Sequence, residues 1–538
     1  MFKRKLVKII PFLLALVLLI STFASCNENG GKTTNPAAGK IDTLVVGTTM
    51  AIEKASRSEY YFDVLSGTIT QMALVRVDES GAYQPLMAEF ETSDSKTWTF
   101  TITDGLTWHD GTPVTAEDVK FTIEYLDLQN NGGYLSRYED IAVLNDRQIK
   151  LVLKTANARH LSNFTAMRII PKHIYDGVAD MSTVAEELAT IGCGPYKFVR
   201  FDKNAGVIEF TAYKDYVGGV PNVKTVIFKM YSNADTMNLA LKAEEIDMVY
   251  YYAGGVDITA AADFVKNGNI TISTVKDASN TAVLVFNNNK SPCNDILIRK
   301  AIAAAIDYDK FLELFGSEYS TPSRTGFIPE GTAGFIETEV LTRNLDAARA
   351  YLAEAGAVDS NNDGIVEYHG EPLVIELLVR SDKPIYTRYA ELLQLNLAEV
   401  GIKITLKIVD VAEFRSISEK EHTNQMMVTK FTAYGMSSGA GMGSSYMSGL
   451  GTSSGQGQIM DAAYAEIVDR LGSATSMEEY FAAAADCQEY YAANTSSVAL
   501  YWDCYIQAYN NRLSGFIIDG TFGLLNMPTW FSIEEQTD

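Results

Sequence analysis

Between Leu373 and Ile408 the apolar residues change their spacing twice, and no other feature of the chain limits its fold as tightly. Leu373-Val-Ile-Glu-Leu-Leu-Val379 is a short, nearly continuous apolar run, as a buried strand requires. Tyr386, Tyr389, Leu393, Leu397 and Val400 then recur at helical spacing, and Gly401 closes the turn. Ile402, Ile404, Leu406 and Ile408 alternate with polar residues, the period of a second strand. Strand, helix and strand in that order imply a parallel crossover and therefore an α/β lobe. A chain of 538 residues is too long for one core, so at least two lobes are expected.

The first 40 residues have a different character. Lys3, Arg4, Lys5 and Lys8 precede the apolar run Ile9–Ile20, and Ser21-Thr-Phe-Ala-Ser-Cys26 follows. A charged start, a short apolar stretch and small residues make a signal peptide over 1–25. The apolar stretch is shorter than the roughly 20 residues that span a bilayer. Ala24-Ser25-Cys26 resembles a bacterial lipobox, with Phe23 where leucine is usual, which makes Cys26 the expected lipidation site. The alternative is an ordinary secretory signal with an incidental cysteine. Residues 26–40 read as a Gly/Asn/Thr-rich tether holding a domain off a membrane. No later segment is long and apolar enough to span. Without the leader's four basic residues, 40 basic face 67 acidic residues, a net −27. Such a surface argues against nucleic acid and against a polybasic membrane patch.

Few residues suggest chemistry. Cys193, Cys293, Cys487 and Cys504 show no CxxC spacing, so a zinc site is not expected, and their pairing is open. His109, His160, His173, His369 and His422 are scattered, without an HxxxH or HExxH pair. No P-loop is present. Asp359, Asn361 and Asp363 open a D-x-N-x-D-G turn like half of a calcium loop. Its twelfth position is Gly370, with Glu371 one residue late, so a tight turn is the better reading.

Trp98–Ile102 alternates as a strand, Asp104-Gly105 turns, and Leu106-Thr-Trp-His109 resumes the alternation as a second strand. Thr115 with Asp118 then forms an approximate capping box for a helix carrying Val119, Ile123 and Leu126. His109 and Asp110 are adjacent, so they point apart and are poorly placed to act on one substrate atom.

This stretch, WHDGTPVTAEDVKF, resembles the signature region of the family 5 extracellular solute-binding proteins, which serve ABC importers of peptides, nickel and other solutes. Further motifs follow in order: Ile169-Ile-Pro-Lys-His173, Gly192-Cys-Gly-Pro-Tyr-Lys-Phe198, Val285-Phe-Asn-Asn-Asn289 leading to Ile298-Arg-Lys-Ala-Ile302 and Ala305-Ile-Asp307, and Leu345–Leu352 with Ala355-Gly356. The resemblance implies an α/β, two-lobed periplasmic-binding-protein-like fold (type II, cluster C), with an extra subdomain inserted in the first lobe. On that pattern residues 41–58, 189–282 and 501–538 form the first lobe, 59–188 the insertion, and 283–500 the second lobe.

The resemblance also implies a function: a monomeric binding lipoprotein that delivers oligopeptides or dipeptides to an ABC permease and its ATPase. No catalytic residue, cofactor or metal is implied. A nickel-chelate or other small-solute binder is the alternative, as is a surface receptor for a peptide signal. The family's pattern places ligand contacts at Thr48, Thr49 and Met50, at Arg380, at Tyr434, Gly435, Met436 and Tyr446 in a Gly/Met/Tyr-rich stretch, and at Tyr501 and Trp502. Peptide-binding relatives commonly carry an acidic residue in that stretch for the ligand's α-ammonium group. Here Phe431–Gly455 contains no Asp or Glu, which puts free-amine peptides in doubt or moves the anion to Asp410, Glu413 or Asp503.

Overall fold

The crossover segment folds as its spacing predicts. Val374–Arg380 and Lys403–Val409 are parallel strands, paired from Val374 with Lys403 to Arg380 with Val409. The helix Pro384–Ala398 joins them and buries Tyr386, Tyr389, Leu393 and Leu397, and Gly401 takes the left-handed conformation that ends the crossover at φ 81°. The computed structural model describes residues 41–79, 81–129, 133–251, 255–332, 334–433, 455–519 and 522–536, with the backbone alone for 275–281 and 430–433.

One mixed sheet runs through the molecule. Its order is Lys403–Val409, Val374–Arg380, Met426–Ala433, Ile270–Phe286, Cys504–Asn510, Met248–Tyr250, Ile41–Thr48, Val223–Met230, Val207–Ala212 and Tyr196–Asp202, with Ser497–Ala499 beside Ile270–Phe286. Ile270–Phe286 is the crossing strand. Its first half pairs with Cys504–Asn510, and from Ser279 onward it pairs with Met426–Ala433. The register slips between Val275 and Ser279, a bulge-like irregularity at which a strand bends and passes from one packed body to the next.

Cores flank each half of this sheet. In the second lobe Leu284 and Phe286 face a core with the helices Ile296–Ala305 and Pro384–Ala398. The alternate residues Val283 and Val285 face the helices Ala462–Ser473 and Met477–Asn494. In the first lobe Leu44 and Val46 face one way, and Met237, Leu241, Ile246 and Val249 pack on the opposite side. Gly47 permits that second packing, since a Cβ there would stand 2.5 Å from Ile246 and 2.9 Å from Met237.

A separate antiparallel sheet has the order Ala88–Glu91, Thr97–Ile102, Gln148–Leu153 and Tyr138–Asn145, with the helix Ala116–Gln129 against it. Its Trp98, Phe100, Ile102, Ile149 and Leu151 share a core with Leu44 and Val46, so this insertion is fused to the first lobe. One expectation differs. Leu106–His109 is not a strand: a single bridge joins Thr107 to Pro113. Leu106 and Trp108 are still buried, but the backbone bonds go to local turns and to the 192 loop (His109 N–H to Gly192 O, 2.8 Å) rather than to a neighbouring strand. No helix among the described residues is long and apolar enough to cross a membrane.

Candidate functional site

Strand direction brings two sheet edges to the same place. Ile41–Thr48 and Met248–Tyr250 are parallel, so Thr48 and Tyr250 end at one edge. Cys504–Asn510 runs antiparallel to Met248–Tyr250 and starts beyond that edge, while Val275 of the crossing strand pairs with Tyr505. In the second lobe Val374–Arg380, Lys403–Val409 and Met426–Ala433 are mutually parallel, and Ala433 pairs with Ser279. The carboxyl ends of the strands in both lobes therefore converge on the 275–279 crossing. Such edges are where open α/β sheets hold ligands.

The expected contact residues occupy these edges with different freedom. Thr48 is buried, and its hydroxyl accepts from Met50 N–H (3.2 Å). Met50 is buried in the first lobe's core, whereas Thr49 is half-buried. Arg380 ends its strand with Nε and Nη2 donating to the two carboxylate oxygens of Asp382 at 3.0 and 2.7 Å. Tyr501 is buried, donates to Phe315 O at 3.2 Å and meets the Tyr389 hydroxyl at 2.7 Å. Trp502 packs edge-on to Phe327 in the core at 5.8 Å, and its backbone pairs with Thr321. Tyr434, Gly435, Met436 and Tyr446 lie outside the described residues, as does Cys26.

Among the three candidate anions the structure separates roles. Asp410 caps the helix Val411–Arg415, accepting from Ala412 N–H (2.8 Å) and Glu413 N–H (2.9 Å), and it is exposed. Glu413 is exposed on that helix. Asp503 is half-buried on the segment between Ser497–Ala499 and Cys504–Asn510, and its Oδ1 accepts from the Ser320 hydroxyl. Burial pushes the Asp503 carboxyl up to about 6, against the pull of that hydroxyl.

The family-like motifs turn out to hold one another. His109 Nδ1 accepts from Gly192 N–H (3.2 Å), which leaves Nε2–H to donate to Gly194 O (3.0 Å). Burial holds its pKa down to about 4, so the ring is neutral and tied to the Gly192-Cys-Gly194 loop. That loop presses on Thr70: Cys193 and Gly194 N–H groups donate to Thr70 O, and a Cβ on Gly192 would sit 2.1 Å from the same oxygen. Asp110 pairs instead with His173 Nε2 at 2.7 Å. The Asp118 carboxylate accepts from Thr115 N–H (2.8 Å) as a capping box does, and from Lys172 N–H (2.8 Å). WHDG, PKH and GCGPY are one scaffold knot, not an acid–base centre.

Among the described residues, one group could bring three ligand atoms together for a metal: Asp359, Asp363 and Glu367, within 4.8 Å of one another. Glu367 escaped the sequence reading, which looked for the acid at the twelfth position; a bridge from Val358 to Glu367 folds it back onto the turn. Its Oε2 accepts from Ser360 and its Oε1 from Asn361, while Asp359 and Asp363 accept from the backbone of 363–365, so the turn's own donors engage all three carboxylates. Among the described residues, Cys193, Cys293, Cys487 and Cys504 form no disulfide.

Residues 82–458 match the family described as bacterial extracellular solute-binding proteins, family 5 Middle. The oligopeptide-binding protein AppA of Bacillus subtilis (strain 168) is 26% identical over 424 residues, which span 74% of this chain and 76% of that protein. The nickel-binding periplasmic protein of Escherichia coli (strain K12) is 24% identical over 341 residues, 62% of this chain and 64% of that protein. The fold is shared with the oligopeptide-binding protein AppA from Bacillus subtilis in complex with a nonapeptide, at a TM-score of 0.69 and 20% identity over 93% of this chain and 100% of that chain.

Proposed function

The chain belongs to the family 5 bacterial extracellular solute-binding proteins, and from that membership we propose that it captures a peptide between its two lobes and delivers it to an ABC importer. The family is one of solute-binding proteins, not of enzymes. The observation that carries the peptide reading is the similarity to an oligopeptide-binding protein across 74% of the chain. The convergence of strand ends on one crossing supports it. An extended peptide can bind to such edges through its backbone, with tolerant side-chain pockets. Closure is then selected by contacts to both lobes.

On this reading residues 283–500 move as the second lobe against 41–58, 189–282 and 501–538, with 59–188 carried by the first. Thr49 and Arg380 line the cleft, and Tyr434, Gly435, Met436 and Tyr446 are further ligand contacts that the family's pattern implies. Thr48, Met50, Tyr501 and Trp502 support it from behind, through backbone and packing. Lipidated Cys26 holds the monomer at the membrane beside its permease. Capture of a nickel chelate is the second reading, favoured by the similarity to a nickel-binding protein and by the acid-free 431–455 stretch.

A thermal-shift screen decides between them after ligand is stripped by unfolding and refolding. The probes are di- to octapeptide pools, nickel with and without free histidine, and simple oligosaccharides. A ligand at 100 times its dissociation constant adds about 2.7 kcal/mol, a shift of a degree or more at this size. Stabilisation by peptides is expected. Stabilisation by nickel with histidine alone overturns the peptide reading.

A further inference from the structure

A cavity of about 540 Å³ lies where the insertion meets the second lobe, and none of its lining residues belongs to the strand ends that converge on the crossing. Arg137, Lys154, Arg159 and His160 of the insertion line it from one side, and Leu471 and Gly472 of the second lobe from the other. The lining holds no aspartate or glutamate, in a chain with 67 acidic and 44 basic residues. Such a volume suits a small molecule rather than a single ion.

The backbone gathers the cations. Lys154 N–H donates to Arg137 O at 2.9 Å, which sets these two exposed side chains next to each other at the rim. Arg137 donates to the neutral Asn163 Oδ1 at 2.7 Å, and half-buried Arg159 holds its guanidinium 4.8 Å from the centre of the Tyr480 ring. His160 is buried, and burial first, then the charge of Arg137, hold its ring neutral with a pKa of about 3. The acids next along the chain are engaged elsewhere, Glu139 with Lys96 at 2.9 Å and Asp140 with Lys150 at 3.8 Å. Among the described residues, neither Arg137 nor Lys154 has a carboxylate within ion-pair distance. The adjoining cavity of about 370 Å³ shows the ordinary solution: there Asp63 stands 3.8 Å from Arg57 and 3.1 Å from Arg168. Against its three cations the larger cavity offers the C-terminal end of the helix Ala462–Ser473, to which Leu471 and Gly472 belong. That end carries about half an elementary negative charge, far too little to balance them.

We propose that this cavity is a second binding site, for a small molecule that carries a phosphate monoester or a diphosphate. A phosphate monoester brings a charge of about −1.5 to −2 and several strong acceptor oxygens. A lone carboxylate would leave most of the cationic charge unanswered. Guanidinium groups grip such oxyanions through paired N–H donors. Lys154 adds a point charge, and the hydroxyls of Thr155 and Ser162 line the same space. The site does not depend on what the cleft between the lobes captures.

Titration calorimetry on the full chain tests the site, with pyrophosphate and glycerol phosphate as probes and acetate as the singly charged control at equal ionic strength. Both phosphates should bind, and acetate about tenfold more weakly or not at all. Arg137→Gln should weaken pyrophosphate binding about tenfold and Lys154→Gln about threefold. Lys420→Gln, which removes an exposed charge outside the cavity, should leave it unchanged. Arg159 is kept in all variants, because it also holds Tyr480. If neither phosphate binds, there is no site. If phosphate binding is untouched by Arg137→Gln and Lys154→Gln, the anion sits elsewhere and the proposal fails. Equal losses in Lys154→Gln and Lys420→Gln, or acetate binding as tight as pyrophosphate, overturn it too, since general charge attraction then accounts for the affinity. Should Arg137→Gln not fold, Lys154→Gln set against Lys420→Gln still decides.

Discussion

Asp503 carries a cost that can be measured without any ligand. Its folded carboxyl titrates at about 6 against an ordinary 3.8, because burial opposes the charge. Between those values the native state binds more protons than the unfolded chain, so stability from this group declines as pH rises through the window and stays reduced above it. Asp503→Asn removes the decline. Urea unfolding should show the variant more stable than the parent by about 1–3 kcal/mol at pH 7.5, with the difference gone near pH 4. A variant less stable at pH 7.5 would mean that the fold itself completes this carboxylate. His109 is a different kind of residue: its ring, held neutral at about 4 by burial, is fully bonded to Gly192 and Gly194, so nothing there awaits a ligand.

Among the elements, the Gly192-Cys-Gly194 loop shows how a close approach becomes a sequence requirement. Thr70 O receives the N–H groups of Cys193 and Gly194 at 3.0 and 2.7 Å, and a Cβ on Gly192 would lie 2.1 Å from it. Backbone on both sides cannot yield as a flexible side chain does. Gly192→Ala should lose about 3 kcal/mol or more, read as a lowered urea midpoint, and the His109 bonds go with it. The same scale shows where periodicity informs and where it stops. The Val374–Val409 crossover was legible because each element buries a face of its own. Leu106–His109 alternates just as clearly and has no neighbouring strand, because alternation reports burial of side chains and not the partner of the backbone. At Thr48, Met50, Tyr501 and Trp502 the family pattern gave chain position but not side-chain direction, and these four turn inward. Asp503 and Ser320 lie 183 residues apart, and Glu367 reaches its turn through a bridge from Val358. No local spacing announces either meeting.

On the scale of the whole molecule, the insertion offers a second connection between the bodies that the crossing strand joins. It shares a core with the first lobe, yet Ala158 N–H donates to Ala474 O at 2.9 Å, and the Arg159 guanidinium lies 4.8 Å from the centre of the Tyr480 ring. Ala474 and Tyr480 belong to the second lobe's core. Beside this contact, Tyr83, Trp98 and Leu161 of the insertion and Met477 and Phe481 of the second lobe line a cavity of about 630 Å³. A cavity here leaves the contact thinly packed, so a few polar and cation–π interactions hold it. These interactions lie outside the covalent crossings, and rotation of one lobe against the other must slide or part them. Each therefore stabilises the arrangement described here relative to one in which these contacts are parted. Ligand affinity scales with the fraction of free protein already in the binding arrangement. Arg159→Ala removes a cation–π contact of about 0.5–2 kcal/mol. It should thus weaken ligand binding by about 2- to 30-fold, although Arg159 is on neither sheet edge. Calorimetry reads the affinity, and small-angle scattering of the free protein should show a larger radius of gyration in the variant. An unchanged affinity with an unchanged radius would mean that the insertion rides on the first lobe without biasing closure.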